Sequence, residues 1–217
     1  MKISVIITAG GSSVRFGKTN KLLQKINSKE LIKYTVDAFM GINEITQIII
    51  CSNPSIIDEL RNIFKEYKQI KIIEGGKTRQ ESVFNGLKAC QNCDYVLIHD
   101  GARPMITKDI IKNAIRKVQE KKALTVATKT IDTIKQVDEN LKIIKTLDRS
   151  SLYNTQTPQA FEYELIKEAH EKLQGKDFTD DAGMLEFSGK EVYVIEGDYI
   201  NIKVTTQADL EFAKTYL

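Results

Sequence analysis

Residues 3–21, ISVIITAGGSSVRFGKTNK, set the terms for the rest of the chain. Ile3 to Thr8 is a short β-branched run that reads as a buried strand, and it passes directly into a loop of glycine and serine. The loop carries Arg15, which is charged at any working pH, and then Lys21. Small residues let backbone N–H groups approach a phosphate, and the two cations supply the charge a polyphosphate needs. Taken alone, the stretch is equally a plain glycine turn between a strand and its next element. Two familiar patterns fail on spacing. Gly17, Lys18 and Thr19 give a P-loop ending, but Ser12 stands where its first glycine belongs, and Gly10, Gly11 and Gly17 miss the dinucleotide spacing.

Outward from this loop, strand and helix signals alternate. A helix is expected from the polar turn at Asn27, Ser28 and Lys29 to about Met40, then a strand at Gln47 to Ser52. Asn53 and Pro54 open what the 3.6-residue period of Ile56, Ile57, Leu60, Ile63, Phe64 and Tyr67 makes the clearest helix in the chain. A strand at Ile70 to Ile73 feeds a second glycine turn, EGGKTRQESV, and a helix through Leu87. Another strand, Tyr95 to Ile98, ends in HDGARP, and Thr107 caps a helix with Ile110, Ile111, Ala114, Ile115 and Val118 on its core face. The alternation runs to about residue 128 and predicts an α/β fold: a doubly wound, mainly parallel, Rossmann-like sheet with helices on both faces. Ligands of such sheets bind at the carboxyl ends of the strands. The polar segments 8–21, 74–82 and 99–104 all fall there, and their convergence favours the nucleotide reading.

From Thr130 to Leu147 polar and apolar residues alternate about a turn at Asp138, Glu139 and Asn140, which predicts a protruding two-stranded arm at about 130–155. A lone hairpin is unstable in water, so the arm packs on a second copy of the chain or on its own domain. A helix at Glu162 to Leu173, a capped segment at Thr179-Asp180-Asp181, strands at Val192 to Ile195 and Asn201 to Val204, and a last helix begun by Thr206 and Asp209 complete a single domain, 1–217.

Composition narrows the function. The 217 residues are 41% hydrophobic, enough for a core, and 28% charged with a net charge of only +3. So small an excess argues for neither nucleic acid nor membrane binding. No apolar run approaches the roughly 18 residues of a membrane span, and the N-terminus leads straight into the glycine loop, so a cytoplasmic protein is expected. Cys90 and Cys93 form a lone C-x-x-C and Cys51 sits in an apolar strand; reduced thiols, not zinc or redox chemistry, are the expectation. Arg15, Lys21, Arg79, Asp100, Arg103, Arg149 and Lys203 stand in loops beside glycine or proline, a cation excess suited to phosphoryl or nucleotidyl transfer. Of two histidines, His170 reads as a surface residue and His99 as structural, which argues against a Ser-His-Asp or Cys-His hydrolase.

The runs AGGSSVRFGKTNKLL, GGKTRQESV, HDGARP, DTIK, DRSSLYNTQTPQAF, TDDAG and NIKVTT, in that order and spacing, resemble the 2-C-methyl-D-erythritol 4-phosphate cytidylyltransferases of the non-mevalonate isoprenoid pathway across nearly the whole chain. The ribitol-5-phosphate cytidylyltransferases share most of these motifs. The resemblance implies CTP as co-substrate, its triphosphate on Ala9, Gly10, Gly11, Ser12 and Ser13, with Arg15 and Lys21 on the reacting phosphates and Lys203 also catalytic. Cytosine would be read by Gly76, Lys77 and Ser82. Asp100, Arg103 and Thr133 would meet the polyol or neighbouring phosphates. Arg149 and Thr157 would reach the sugar phosphate of a partner subunit together with that subunit's Thr179 and Lys203, which makes a homodimer part of the site. Mg2+ is the implied cation, with Asp100 and Asn201 as candidate ligands. Two positions depart from the family pattern: Ser13 stands for a glycine and Asn20 for a proline, the second loosening the Lys21 segment. Competing readings are ribitol 5-phosphate as acceptor, a P-loop-like ATPase or kinase with Tyr95 to Asp100 as its magnesium strand, and a non-catalytic nucleotide-binding module.

Overall fold

The computed structural model describes residues 1–11, 16 and 20–217. The elements, in order, are β1 (Ile3–Ala9), β2 (Lys25–Ile26), β3 (Lys29–Glu30), α1 (Leu31–Phe39), β4 (Ile45–Ser52), α2 (Ile57–Ile63), β5 (Ile70–Glu74), α3 (Arg79–Ala89) and β6 (Tyr95–Asp100). They continue with α4 (Lys108–Lys121), β7 (Ala123–Lys129), β8 (Lys135–Val137), β9 (Ile143–Thr146), β10 (Tyr153–Glu162), α5 (Tyr163–Lys172), α6 (Asp181–Phe187), β11 (Tyr193–Glu196) and α7 (Gln207–Lys214).

Seven strands form one sheet in the order β11-β7-β10-β6-β1-β4-β5. β1 lies parallel between β4 and β6, while β10 runs antiparallel to both β6 and β7. Because successive strand residues face opposite sides, Val5 and Ile7 bury into one layer with α1 and α4, and Ile6 into the other with α3, α5 and α6. The doubly wound arrangement is therefore present, with one antiparallel strand inserted.

Four readings need correction. The helix expected from Pro54 to Tyr67 is a 3-10 turn at Pro54–Ile56 followed by seven residues of α2, which ends as Phe64 leaves the helical region (φ −106°, ψ 13°). Phe64 and Tyr67 keep the apolar period because their rings meet edge-on at 5.8 Å, not because a helix continues. No strand forms at Asn201 to Val204; that segment is held beside the 100–103 loop by Val204 N donating to Ala102 O at 2.8 Å and by Arg103 Nη1 donating to Asn201 O at 2.7 Å. β10 takes residues 153–155 from the expected arm, pairing them with β7 rather than within the hairpin, and continues through Glu162 where no strand is expected. His170, read as a surface residue, is 1% exposed.

The arm forms as β8 paired with β9, with Asp138 Oδ1 accepting from Asn140 N and Lys142 N at its turn. It leaves Leu141, Ile143 and Ile144 exposed.

Candidate active site

The carboxyl ends of β1, β4, β5 and β6 open into a cavity of about 810 Å³ lined by Ala9, Gly10, Gly11, Lys21, Gly76, Lys77, Ser82, Asp100 and Lys203, among others. Its glycine walls are set by contact. A Cβ on Gly76 would stand 2.1 Å from Glu81 Cβ, and one on Gly75 would stand 2.9 Å from Ser82 Oγ. The turn is braced at the start of α3: Thr78 caps the helix by accepting from Glu81 N, Lys77 N donates to Glu81 Oε2 at 2.7 Å, and Gly76 N donates to Ser82 Oγ at 3.0 Å. Ser82 Oγ in turn donates to Thr78 O at 2.8 Å, so this buried hydroxyl is engaged on its own loop.

A second cavity of about 280 Å³ is lined by Arg79, Asp100, Arg103, Thr157, Thr179 and Lys203 together with Gln156, Gln159, Thr155 and Asp180. Arg79, Asp100 and Lys203 line both cavities and mark their junction. There the Asp100 carboxylate lies 3.1 Å from Lys203 Nζ, 3.4 Å from Arg103 Nε and 3.8 Å from Arg79 Nε. Burial pushes this carboxyl up, but Lys203, Arg79 and Arg103 outweigh it and hold it well below the usual carboxylate range. The junction thus carries three cations around one permanent anion.

β10 supplies the floor. Asp100 N donates to Thr157 Oγ1 at 3.0 Å, and the same hydroxyl meets His99 Nδ1 at 3.0 Å. His99 Nε2 faces Arg103 O at 3.2 Å, so a neutral ring protonated on Nε2 satisfies both neighbours. Burial lowers its pKa to about 4. His99 is structural, holding the loop that presents Asp100 and Arg103.

Of the residues expected in the site, Ala9, Gly10, Gly11, Lys21, Gly76, Lys77, Ser82, Asp100, Arg103, Thr157, Thr179 and Lys203 all line one cavity or the other. Ser12, Ser13 and Arg15 lie outside the described residues. Thr133 and Arg149 line neither cavity; Arg149 is exposed on the arm side, with Nη1 donating to Ile131 O at 2.5 Å. Thr157 is a correction: it sits beside Thr179 and Lys203 of its own chain, because β10 carries it under Asp100. Arg79, noticed as a charge beside glycine but given no role, is the residue sequence reasoning missed.

The Asp100–Asn201 metal pair does not fit. Asn201 is fully buried, its Nδ2 donating to Gln156 Oε1 and Thr157 O at 3.1 and 3.0 Å; its Oδ1 has no hydrogen-bond partner among the described residues, but Asn201 lines neither of the cavities that Asp100 faces. Asp100 already faces three cations, and no group of three His, Cys, Asp or Glu suited to a metal exists among the described residues.

The IspD model, described as 2-C-methyl-D-erythritol 4-phosphate cytidylyltransferase, matches residues 3–217. A 2-C-methyl-D-erythritol 4-phosphate cytidylyltransferase of Caldanaerobacter subterraneus is 41% identical over 100% of this chain and 99% of its own, and one of Alkaliphilus oremlandii is 42% identical over 100% and 95%. Among solved structures, the 4-diphosphocytidyl-2C-methyl-D-erythritol synthase of Anaerococcus prevotii superposes with a TM-score of 0.89 at 34% identity, covering 99% of this chain and 95% of that one. The Francisella tularensis 2-C-methyl-D-erythritol 4-phosphate cytidylyltransferase gives 0.85 at 29% identity with full coverage of both chains. A cation-lined junction between two cavities at the carboxyl edge of a doubly wound sheet is thus found in a chain that belongs, over its whole length, to the 2-C-methyl-D-erythritol 4-phosphate cytidylyltransferase family.

Proposed function

We propose that this protein transfers CMP from CTP to 2-C-methyl-D-erythritol 4-phosphate and releases pyrophosphate. The observation that carries the reading is the junction, where Arg79, Asp100 and Lys203 face a large glycine-walled cavity and a small polar one together. The larger takes CTP along the β1 loop and the Gly76 turn. The smaller takes the sugar phosphate among Arg103, Thr157, Thr179 and Lys203.

The chemistry follows from charge. A phosphate monoester has its second pKa near ~6 and is largely dianionic at neutral pH, so it needs no general base. One of its oxygens attacks the α-phosphorus of CTP in line; the new P–O bond forms as the bond to the β-phosphate oxygen breaks, and the electron pair leaves on pyrophosphate. The protein must hold two anions that repel each other and meet the charge of the five-coordinate phosphorus with fixed cations. Lys203 and Arg79 stand at the junction, Lys21 lines the nucleotide cavity, and the family resemblance adds Arg15. Asp100 keeps Lys203 and Arg103 in place before substrate arrives. A divalent ion such as Mg2+ would supply charge neutralisation on the triphosphate, held by phosphates and water rather than by an Asp100–Asn201 pair.

The arm's exposed Leu141, Ile143 and Ile144 suit a homodimer in which the partner's arm brings Thr133 and Arg149 to the small cavity. Three free cysteines fit a cytoplasmic location. Pyrophosphate release from CTP and Mg2+, followed in parallel with methylerythritol 4-phosphate and ribitol 5-phosphate, tests the reading. Release with the first acceptor alone is expected; release with ribitol 5-phosphate alone would overturn it.

A further inference from the structure

Behind the junction lie two buried polar residues that the transfer chemistry above does not use. His170, near the end of α5, and Asp181, at the start of α6, are each 1% exposed. His170 Nε2 lies 3.1 Å from Asp181 Oδ1, and Asp181 Oδ2 accepts from Arg79 Nη1 at 2.7 Å. Arg79 Nε then lies 3.8 Å from Asp100 Oδ1. The array runs unbroken from the interior of the α5–α6 layer to the place where the two cavities meet.

We propose that His170 is a positioning residue for the transfer, fixing Asp181 so that Asp181 fixes the Arg79 guanidinium at the junction. Three observations support this. First, the ring does more than fill space. Its face stacks on Phe84 with centroids 6.0 Å apart, a contact any apolar side chain would supply, yet its Nδ1 is buried with no hydrogen-bonding partner among the described residues. An unpaired buried nitrogen is a cost that leucine or phenylalanine would avoid, so what the imidazole contributes is its Nε2–H.

Second, Asp181 has one oxygen for each neighbour. Burial opposes its ionisation, but Arg79 and the hydrogen bond from His170 outweigh that and keep it a carboxylate. A carboxylate only accepts, so the facing histidine nitrogen must carry the proton. Its main-chain N–H is bound as well, donating to Gln159 Oε1 at 3.0 Å. Backbone and one carboxylate oxygen are thus fixed by other groups, and the second oxygen is left to aim Arg79.

Third, Arg79 needs aiming. Its long side chain has many rotamers to choose among, and a guanidinium that meets developing charge must be in place beforehand. Asp100 alone does not fix it, because that carboxylate is nearer to Lys203 and Arg103.

The inference rests on the CTP-dependent transfer proposed above, so the first arm of the test is wild-type turnover with CTP and methylerythritol 4-phosphate. No turnover there removes the functional reading itself. Given turnover, His170→Gln and His170→Asn are compared, since glutamine places an amide N–H near the Nε2 position and asparagine falls short of Asp181. Asparagine should lower kcat roughly tenfold or more, and glutamine should recover it to within about threefold, as expected when a reacting group is displaced by a fraction of an ångström. KM for CTP should change less than about twofold in both, because the Gly10 and Gly76 walls are untouched. A cycle with Arg79→Ala completes the test: His170→Asn should cause no further loss in that background. Equal turnover of the glutamine and asparagine variants, or full multiplication of the two losses, would overturn the assignment.

Discussion

Asp100 is one carboxylate shared among three cations, and its removal exposes what it does. In Asp100→Asn, Lys203, Arg103 and Arg79 would remain partly buried without their common anion. Breaking such a cluster costs roughly 3 kcal/mol. The variant should therefore unfold at lower urea than wild type, and added CTP or pyrophosphate should return more stability to it than to wild type, because a polyanion replaces the lost charge. Equal ligand-induced shifts in the two proteins would show that Asp100 does not balance these cations. His99 gives a separate signature. Its folded pKa, near 4, lies below the ordinary 6.5, so the unfolded chain binds the proton first as pH falls. Stability is complete above about 6.5 and is lost between about 6.5 and 4, by roughly 3 kcal/mol for a shift of that size. The depressed Asp100 adds a loss only at lower pH, beneath the ordinary carboxylate range. Urea unfolding from pH 7 to 4 should show the first loss in wild type and not in His99→Gln; an unchanged slope in the variant would assign it elsewhere. At this scale much of the candidate site was legible: Asp100 and Arg103 stand out as charges beside glycine and proline, and Lys203 falls in NIKVTT, one of the runs that carry the family resemblance. His170 was not, because it is followed by Glu171 and Lys172 in a largely polar helix, and only the packing of α5 against α6 and α3 turns it inward.

β10 shows why elements were read unevenly. YNTQTPQAFE is polar and contains Pro158, which argues against a central strand. Its ladder with β7 shifts register between Thr155 and Gln159, which accommodates the proline, and its polar side chains are occupied in the interior. Gln159 Nε2 donates to Asp180 Oδ2 at 2.8 Å while its Oε1 accepts from Asp181 N, so a buried glutamine ties the strand to the start of α6. No periodicity signals such a strand, because its inward side chains serve hydrogen bonds. Helices with local caps were legible: Thr107 at α4 and the Thr206–Asp209 box at α7 both form. α3 holds the close contact that sequence alone could not show. A Cβ on Gly86 would lie 2.7 Å from Ile6 Cγ2 and 2.9 Å from Cys51 Sγ, both on strands of the central sheet. Alanine would gain up to about 1 kcal/mol of helix propensity, but overpacking a core costs about 1–3 kcal/mol. The second effect should win, since neither strand can move away, and Gly86→Ala should lower Tm by several degrees at unchanged m-value. A stabilised variant would mean that α3 can shift off the sheet freely, taking Arg79 with it.

For the whole molecule the decisive feature is the arm. It was legible because its alternation runs about an Asp-Glu-Asn turn, yet its apolar side chains are left uncovered by the described residues: Leu141 is 80% exposed, Ile143 57% and Ile144 61%. Arg149, just beyond the arm, lines neither cavity of its own chain. In the proposed dimer the two copies exchange arms, which would bury the isoleucines and carry Arg149 to the small cavity of the other copy. Light scattering should give twice the chain mass, and Ile143→Glu with Ile144→Glu should give a folded monomer with turnover lowered at least roughly tenfold, as for a missing charge donor. Complementation separates a shared site from mere dimer stability. Arg149→Ala and Lys203→Ala should each be nearly inactive alone. In a mixed dimer one site has Lys203 from the first copy and Arg149 from the second, and the other has neither. Random mixing makes half the dimers mixed, so an equal mixture should recover roughly a quarter of wild-type activity if the interface is isologous. Recovery should appear only after the subunits have been allowed to exchange, and its absence after proven exchange would confine each active site to a single chain.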